Sequence, residues 1–362
     1  MWVIVLLKRF SFVLAFLFIV PYNCYAYDAV EISASSAVVF DCAGKTVLFE
    51  KNADEQRSIA SITKIMTALL AIECGNLDSV VKITPEMLDT EGSSLGLKEN
   101  DTVTLDDLVI GMMLTSGNDS ANAVAYFLGG SLEGFAEMMN LRADELGMKN
   151  TLFVTPSGLD SGDHHSSAYD MALLTAAAVQ NDKFNDVVSR KSAEITISGR
   201  TVTVYNHNRL LSLDEDIFGV KTGFTKKAGR TLVSAKNYKE NKIVTVTLNA
   251  PDDWNDHIRL YKECQKKYVK QDVKKTVYLP VVGGEAVRVS ASCTKTFYTL
   301  NEQSVKLFYH PFVYAPVKKG ERVGTVCVYE NNKLSERLPL TADEDVKYYA
   351  EQKRSAPSEI YG

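Results

Sequence analysis

A serine and a lysine lie three residues apart at the start of an apolar run. The stretch SIASITKIMTALLA, residues 58 to 71, places Ser61 and Lys64 on one face of a predicted helix. A serine hydroxyl is a weak nucleophile until a base removes its proton. A lysine can be that base only if burial or a nearby positive charge lowers its pKa. A helix N-terminus favours both the developing negative charge and a neutral lysine. The pair is a candidate nucleophile and base.

The Ser-x-x-Lys spacing alone does not establish this chemistry. It recurs from Ser79 to Lys82 and from Ser292 to Lys295. The ordinary alternative is that Ser61 caps a helix and Lys64 is a solvated lysine.

A second candidate group is the stretch MLTSGNDSANAVA, which contains Ser116 and Asn118. It falls at a break between two predicted helices, where a turn can direct both side chains into a cleft. A serine hydroxyl can relay a proton, and an asparagine amide can hold a carbonyl or orient a lysine. The alternative is helix capping, and Ser-x-Asn recurs from Ser120 to Asn122.

A third candidate group is Lys221-Thr222-Gly223, which follows the apolar residues of a predicted inner strand. Gly223 would let a ligand's backbone run alongside as an added strand. Lys221 offers a positive charge, Thr222 a hydroxyl and Phe224 a backbone N–H for an oxyanion. The alternative is a surface strand ending in a basic turn.

The three groups follow one another at separations of 55 and 105 residues. In this order and spacing they resemble the motifs of the low-molecular-weight penicillin-binding proteins. These are serine-type, peptidase S11-like D-alanyl-D-alanine carboxypeptidases. The resemblance runs from about residue 30 to 340. It includes the stretches ASITKIMTALLA, FVTPSGLDSGDHHSSAYDMALL, GVKTGFTKKAGRTLVSA and LNAPDDWNDH.

The resemblance implies an enzyme that removes the terminal D-Ala from peptidoglycan stem peptides, with a role in peptidoglycan maturation and cell-wall organisation. Ser61 would form the acyl-enzyme, with Lys64 as its base and Ser116 passing the proton to the departing D-alanine. Penicillins and other β-lactam antibiotics would acylate Ser61 and leave slowly.

The same resemblance assigns the substrate-binding residues. Asn118 would orient Lys64 and the substrate, and Lys221 and Thr222 would attract the terminal carboxylate beside Gly223. The N–H groups of Ser61 and Phe224 would form the oxyanion hole.

Asp170 matches an aspartate beside the site in this family, although a carboxylate at a helix start is an equally good interpretation. His164 and His165 suggest a metal, but the sequence shows no third ligand at a recognisable spacing. We expect no metal and no cofactor.

The ends of the chain bear on its location. Lys8 and Arg9, an apolar run and the small-residue end CYA predict a signal peptide over residues 1–26. We therefore expect an exported, extracytoplasmic protein, in the cell envelope, at the outer face of the cytoplasmic membrane, or secreted. The end of the chain, from residue 342, has no sustained apolar face of the kind that anchors many family members, which leaves membrane association open.

Composition agrees with a folded, exported protein. The net charge of −5 argues against nucleic-acid binding, which needs a basic face. Five cysteines follow the predicted signal peptide, an odd number without a C-x-x-C pair. We expect most of them to be small buried apolar residues.

The pattern of elements predicts two domains. Strands at 33–50 and 194–250 enclose a group of helices, which predicts an α/β (α+β) domain of the penicillin-binding, serine β-lactamase-like type over residues 27–272. Its helical cluster would pack against a mainly antiparallel sheet. Short alternating strands then predict a small all-β domain over 273–341, followed by a polar, frayed tail over 342–362.

Three other functions use the same residues. A β-lactamase would need a glutamate before Asp170, and DSGDHHSSAYD has none. A D,D-endopeptidase would cut D-Ala cross-links with the same machinery. A non-catalytic penicillin-binding sensor would be acylated without turnover.

Overall fold

The computed structural model describes residues 30–73, 76–300, 303–330 and 332–349. Its strands, β1 to β15 in chain order, are Ser36–Asp41, Thr46–Lys51, Val80–Lys82, Thr102–Thr104, Ser192–Ile197, Arg200–Tyr205, Ile217–Thr225, Gly229–Tyr238, Asn241–Leu248, Val269–Val282, Arg288–Thr299, Gln303–Tyr309, Val313–Tyr314, Arg322–Glu330 and Lys333–Ala342. Its α-helices, α1 to α9, are Lys64–Glu73, Pro85–Leu88, Leu105–Thr115, Asn118–Gly129, Leu132–Leu146, Ala168–Ala178, Asp182–Ser189, Leu210–Leu213 and Asp253–Gln265.

A five-stranded antiparallel sheet in the order β2-β1-β9-β8-β7 organises the first domain. Every residue of β1 is buried, because α6 covers one side of the sheet and α9 packs on the other. Since β1 pairs with β9, the sheet joins both ends of the domain, as the sequence predicted. β7 lies at one edge of this sheet, so one side of its backbone has no partner strand in the described sheet.

The helices form one apolar core with this sheet. α1 is buried almost throughout and packs against α3, α4 and α6. Thr104 caps α3 by accepting a hydrogen bond from the Asp107 N–H at 3.1 Å. The small sheet β3-β4-β5-β6 packs beside α3.

Two boundaries differ from the sequence prediction. The helix predicted from Ser61 begins as a 3₁₀ turn over Ala60–Thr63, and the α-helix begins at Lys64. The stretch WNDHIRLYKECQKKYVK, residues 254–270, predicts one continuous helix, but the helix ends at Gln265 and β10 starts at Val269, because its residues pair with β11 up to Thr299. The long ladder of β10 with β11 overrides the local helical pattern.

The second domain is a six-stranded β structure in the order β12-β14-β15-β11-β10-β13, with an apolar core of its own. The proposed boundary between residues 272 and 273 falls inside β10. The expectation of a frayed tail from residue 342 is wrong for the part that the structure describes. Val346 is buried and bridges Val317, and the Tyr349 N–H donates to the Gly283 carbonyl at 2.9 Å.

The predicted signal peptide and Cys74 lie outside the described residues. The four described cysteines are unpaired with one another; Cys264, Cys293 and Cys327 are buried, and Cys42 is half-buried. In the described ranges, no helix is long and apolar enough to cross a membrane.

Candidate active site

Ser61 lies in the 3₁₀ turn between the sheet and α1, half-buried and held from both sides. The Thr231 hydroxyl on β8 donates to the Ile59 carbonyl at 3.0 Å, which ties the turn to the sheet. Ala60 has a positive φ of 50°, a conformation that is uncommon for a residue with a side chain. Backbone strain of this kind clusters at functional sites, where the surrounding structure must maintain it.

The Lys64 side chain is fully buried, and three oxygens surround its Nζ atom. Ser61 Oγ lies 2.9 Å away, Asn118 Oδ1 2.7 Å away and the Ser157 carbonyl oxygen 2.7 Å away. Asn118 Nδ2 donates to the Glu91 carbonyl at 2.6 Å, which fixes the orientation of the amide with its oxygen towards Lys64. Lys64 is not a solvated lysine.

Two effects keep the pKa of Lys64 well below its usual value. Burial is the larger, because it removes water from the ammonium form, and the charge of Lys221 adds to it. The Asp119 carboxylate acts in the opposite direction. The amine can therefore be neutral where a free lysine would be charged.

A neutral amine has two N–H groups and one lone pair. The amide oxygen of Asn118 and the carbonyl of Ser157 can only accept hydrogen bonds, so both N–H groups point to them. The lone pair then faces Ser61 Oγ, whose proton it can accept. The arrangement is that of a nucleophile with its base.

Asn118 is held in place by the start of α4. Its backbone N–H donates to the Ser93 carbonyl at 2.7 Å. The buried carboxylate of Asp119 accepts the N–H groups of Leu95, Gly96 and Leu97 at 2.8 to 3.1 Å. The loop over residues 91–97 therefore forms a fixed wall beside the site.

Ser116 ends α3 in the left-handed conformation, with φ at 65°, and is buried. It lies two residues before Asn118, in the break between helices that the sequence predicted. Its proposed relay role stays a prediction.

β7 forms the other wall. Lys221 is buried, its Nζ donates to the Thr222 carbonyl at 2.9 Å, and burial lowers its pKa to about 7. A Cβ added to Gly223 would lie 2.9 Å from the Ser61 nitrogen, so only glycine allows the strand to approach this closely. Thr222 is half-buried, and Phe224 is 68% exposed at the mouth.

The loop from Thr155 to His164 contains contributions that sequence reasoning missed. The Ser157 carbonyl binds Lys64, and the Pro156 carbonyl accepts the Thr67 hydroxyl at 2.7 Å. Gly158, with φ at 81°, packs against the Ala60 carbonyl, where a Cβ would lie 1.9 Å from the oxygen. Because two of these contributions are backbone carbonyls, no residue type identifies them. The only sign of this loop in the sequence was the stretch FVTPSGLDSG, which resembles the corresponding stretch of the family.

The histidine pair and Asp170 have structural contacts. His164 Nδ1 accepts the Val154 N–H at 3.0 Å, and its Nε2 lies 2.9 Å from the Thr63 hydroxyl. Asp170 accepts the Asn150 N–H and the Thr151 hydroxyl at the start of α6. The structure thus brings together Ser61, Lys64, Asn118, Lys221 and Gly223, and gives Asp170 contacts elsewhere.

The other two Ser-x-x-Lys matches belong to extended structure. Lys82 ends β3, and Ser292 and Lys295 both lie in β11. Residues three apart in a strand point to opposite faces, so this spacing cannot pair them.

Comparison with known proteins agrees with this geometry. Residues 23–252 match the family described as D-alanyl-D-alanine carboxypeptidase. The chain belongs to this family. Residues 257–348 match the C-terminal domain of penicillin-binding protein 5. The predicted family and the predicted enzyme class, a serine-type D-alanyl-D-alanine carboxypeptidase, are confirmed.

Similar proteins span most of the chain. The D-alanyl-D-alanine carboxypeptidase DacC of Escherichia coli is 32% identical over 92% of this chain and 90% of its own. DacF of Bacillus subtilis is 29% identical over 87% and 86%. The solved structure of penicillin-binding protein 5 from Haemophilus influenzae has a TM-score of 0.62, with 26% identity over 88% of this chain and 98% of its own. The predicted fold class is confirmed.

Proposed function

We propose that this protein hydrolyses the bond between the two terminal D-alanines of peptidoglycan stem peptides through an acyl-enzyme on Ser61. The observation that carries the proposal is the environment of Lys64, buried between Ser61, Asn118 and the Ser157 carbonyl. Family membership supports a peptidoglycan substrate and β-lactam binding.

In the acylation step, Ser61 Oγ attacks the carbonyl carbon and Lys64 takes its proton. The N–H groups of Ser61 and Phe224 stabilise the oxyanion of the tetrahedral intermediate. Ser116 then passes the proton from Lys64 to the nitrogen of the leaving D-alanine as the C–N bond breaks. An ester on Ser61 remains.

In the deacylation step, a water attacks the ester and Lys64 takes the proton of the water. Ser61 leaves with a proton returned from Lys64, which restores the neutral amine. A penicillin forms the same ester but hydrolyses slowly, which makes it an inhibitor.

Lys221 and Thr222 hold the terminal carboxylate of the substrate. A carboxylate beside Lys221 favours its charged form and raises its pKa from about 7. The open edge of β7 lets the peptide backbone pair with the strand, and Gly223 leaves room for it.

Export through the signal peptide over residues 1–26 would bring the enzyme to this substrate. We place the protein outside the cytoplasm, in the cell envelope.

The test is D-alanine released from diacetyl-L-Lys-D-Ala-D-Ala. We expect turnover by the protein, none by Ser61→Ala, and full turnover by Ser79→Ala, the serine of a second Ser-x-x-Lys match. Release that persists in Ser61→Ala would refute the nucleophile. Stable penicillin labelling of Ser61 without D-alanine release would refute the carboxypeptidase and favour a sensor.

A further inference from the structure

A cavity of about 460 Å³ adjoins the residues that hold Lys64. Two of its lining residues contact the candidate active site through their backbone: the Ser157 carbonyl binds Lys64, and the Glu91 carbonyl accepts the amide of Asn118. Asn122, which also lines the cavity, lies one turn of α4 after Asn118, about 6 Å along the helix axis. The acylation and deacylation steps described above make no use of this space.

Part of the wall is apolar. Leu132 at the start of α5 and Leu159 in the loop from Thr155 to His164 are both partly exposed, and Pro156 of the same loop is buried. Walls of this kind suit the methylene stem of a long side chain whose polar end lies elsewhere.

The remaining charge of the lining is negative. Asp89 and Glu91 both have exposed side chains, and neither carboxylate forms an ion pair with the described residues. Among the described residues that line the cavity, none is a lysine, an arginine or a histidine. Two exposed carboxylates are by themselves an ordinary surface feature, so they do not establish a ligand.

Asn122 supplies an independent observation. The residue is only 4% exposed, and its Nδ2 lies 3.5 Å from the Asp89 carbonyl, at the outer limit of a hydrogen bond. No group of the described chain donates to its Oδ1. A buried amide oxygen normally has a donor, so the missing donor is a group that enters the cavity. Because the amide oxygen and the two carboxylates only accept hydrogen bonds, a cationic donor suits all three.

We propose that this cavity binds the side chain of the residue that precedes D-alanyl-D-alanine in the stem peptide, and that this side chain ends in a primary ammonium group. The inference rests on the proposed hydrolysis. The ammonium would donate to Asn122 Oδ1 in the field of Asp89 and Glu91. The methylene stem would pack on Leu132 and Leu159. The preceding residue is directly bonded to the acylated D-alanine, with the two Cα atoms about 3.8 Å apart, so its side chain starts close to the cavity.

The test compares D-alanine release from three tripeptides that differ only in this side chain. They are acetyl-L-Lys-D-Ala-D-Ala with a free side-chain amine, its diacetyl form, and acetyl-L-norleucyl-D-Ala-D-Ala. All three carry the same terminal carboxylate for Lys221. We expect kcat/KM to be at least about tenfold higher for the free amine than for either neutral peptide, as expected when a charge-assisted hydrogen bond is gained.

Variants locate the preference. Asn122→Leu keeps a similar volume and removes the amide oxygen, and Asp89→Asn removes one charge at an exposed position. Each should lower the ratio of kcat/KM between the free-amine and norleucine peptides several-fold. Since the ratio compares two substrates of one variant, a general loss of activity does not alter it. Asp144→Asn is the matched control, because this exposed residue lies about 18 Å along α5 from Leu132 and should leave the ratio unchanged.

Equal kcat/KM for the free-amine and norleucine peptides would overturn the inference and leave the hydrolysis intact. The same conclusion would follow if both Asn122→Leu and Asp89→Asn kept the full preference. It would also follow if Asp144→Asn lost the preference as they do, because the net charge of the protein would then be its source. No release from any of the three peptides would refute the proposed hydrolysis, and this inference with it.

Discussion

Replacement of Gly223 by alanine should slow the acylation of Ser61 much more than it destabilises the fold. The added Cβ would lie 2.5 Å from Thr231 Oγ1, 2.9 Å from the Ser61 nitrogen and 3.2 Å from Ala60 Cβ. Ordinary contacts begin near 3.4 Å, so the Ser61 turn must withdraw from β7 by roughly 0.5 Å and Thr231 Oγ1 by roughly 0.9 Å. We expect overpacking to cost about 1 to 3 kcal/mol of unfolding free energy.

The effect on chemistry should be larger. A displacement of about 1 Å can cost on the order of 10²-fold in rate, and this one moves the Ser61 N–H that would bind the oxyanion. The assay is the second-order rate of Ser61 acylation by a fluorescent penicillin. D-alanine release and the unfolding free energy would be measured on the same samples.

Gly199→Ala is the matched control. Gly199 has φ at 76° in the β5–β6 turn, with no atom near the added Cβ, so alanine there costs backbone strain without touching the site. We expect a comparable loss of stability and an unchanged acylation rate. If Gly223→Ala acylates as fast as Gly199→Ala, the close approach of β7 to Ser61 is not catalytic and the reasoning is wrong.

Two further predictions follow from the same contacts. Asn118→Asp places a carboxylate beside Lys64 Nζ and should raise the pKa of Lys64. The acidic limb of the acylation pH profile should therefore move to higher pH, and the rate at neutral pH should fall at least tenfold. An acidic limb that does not move would contradict the assignment of Lys64 as the base. Burial lowers the pKa of His257 to about 3, so the unfolded chain binds the proton first, and stability falls as pH drops below about 6.5. Between pH 7 and 5 His257 should account for about 2 kcal/mol of unfolding free energy, and His257→Gln should reduce that loss in urea titrations.

The candidate active site was predictable where side chains carry the proposed chemistry. Ser61, Lys64 and Asn118 were candidates from residue type and spacing, and the structure places Ser61 Oγ at 2.9 Å and Asn118 Oδ1 at 2.7 Å from Lys64 Nζ. Spacing alone could not exclude Ser79 and Ser292, because it does not distinguish a helix from a strand. The resemblance of the surrounding stretches supplied that distinction.

Other contacts of the site and of the chain end could not be predicted from the sequence, for physical reasons. The Ser157 carbonyl binds Lys64, and Gly158 packs against the turn that contains Ser61. Both contacts involve backbone atoms, and the sequence does not reveal which carbonyl will face a site. The end of the chain was predicted to fray because it is polar. The buried Val346 and backbone hydrogen bonds such as that from the Tyr349 N–H to the Gly283 carbonyl attach its described part to the β domain.

The most direct test of the account is the pH dependence of Ser61 acylation by a penicillin, measured before turnover. If Lys64 is a buried, neutral base, the rate should reach its plateau well below the pKa of about 10.4 of a free lysine, because burial lowers the pKa of Lys64. A rate that keeps rising tenfold per pH unit up to pH 10 would contradict it, because Lys64 would then be charged and unable to accept the proton of Ser61.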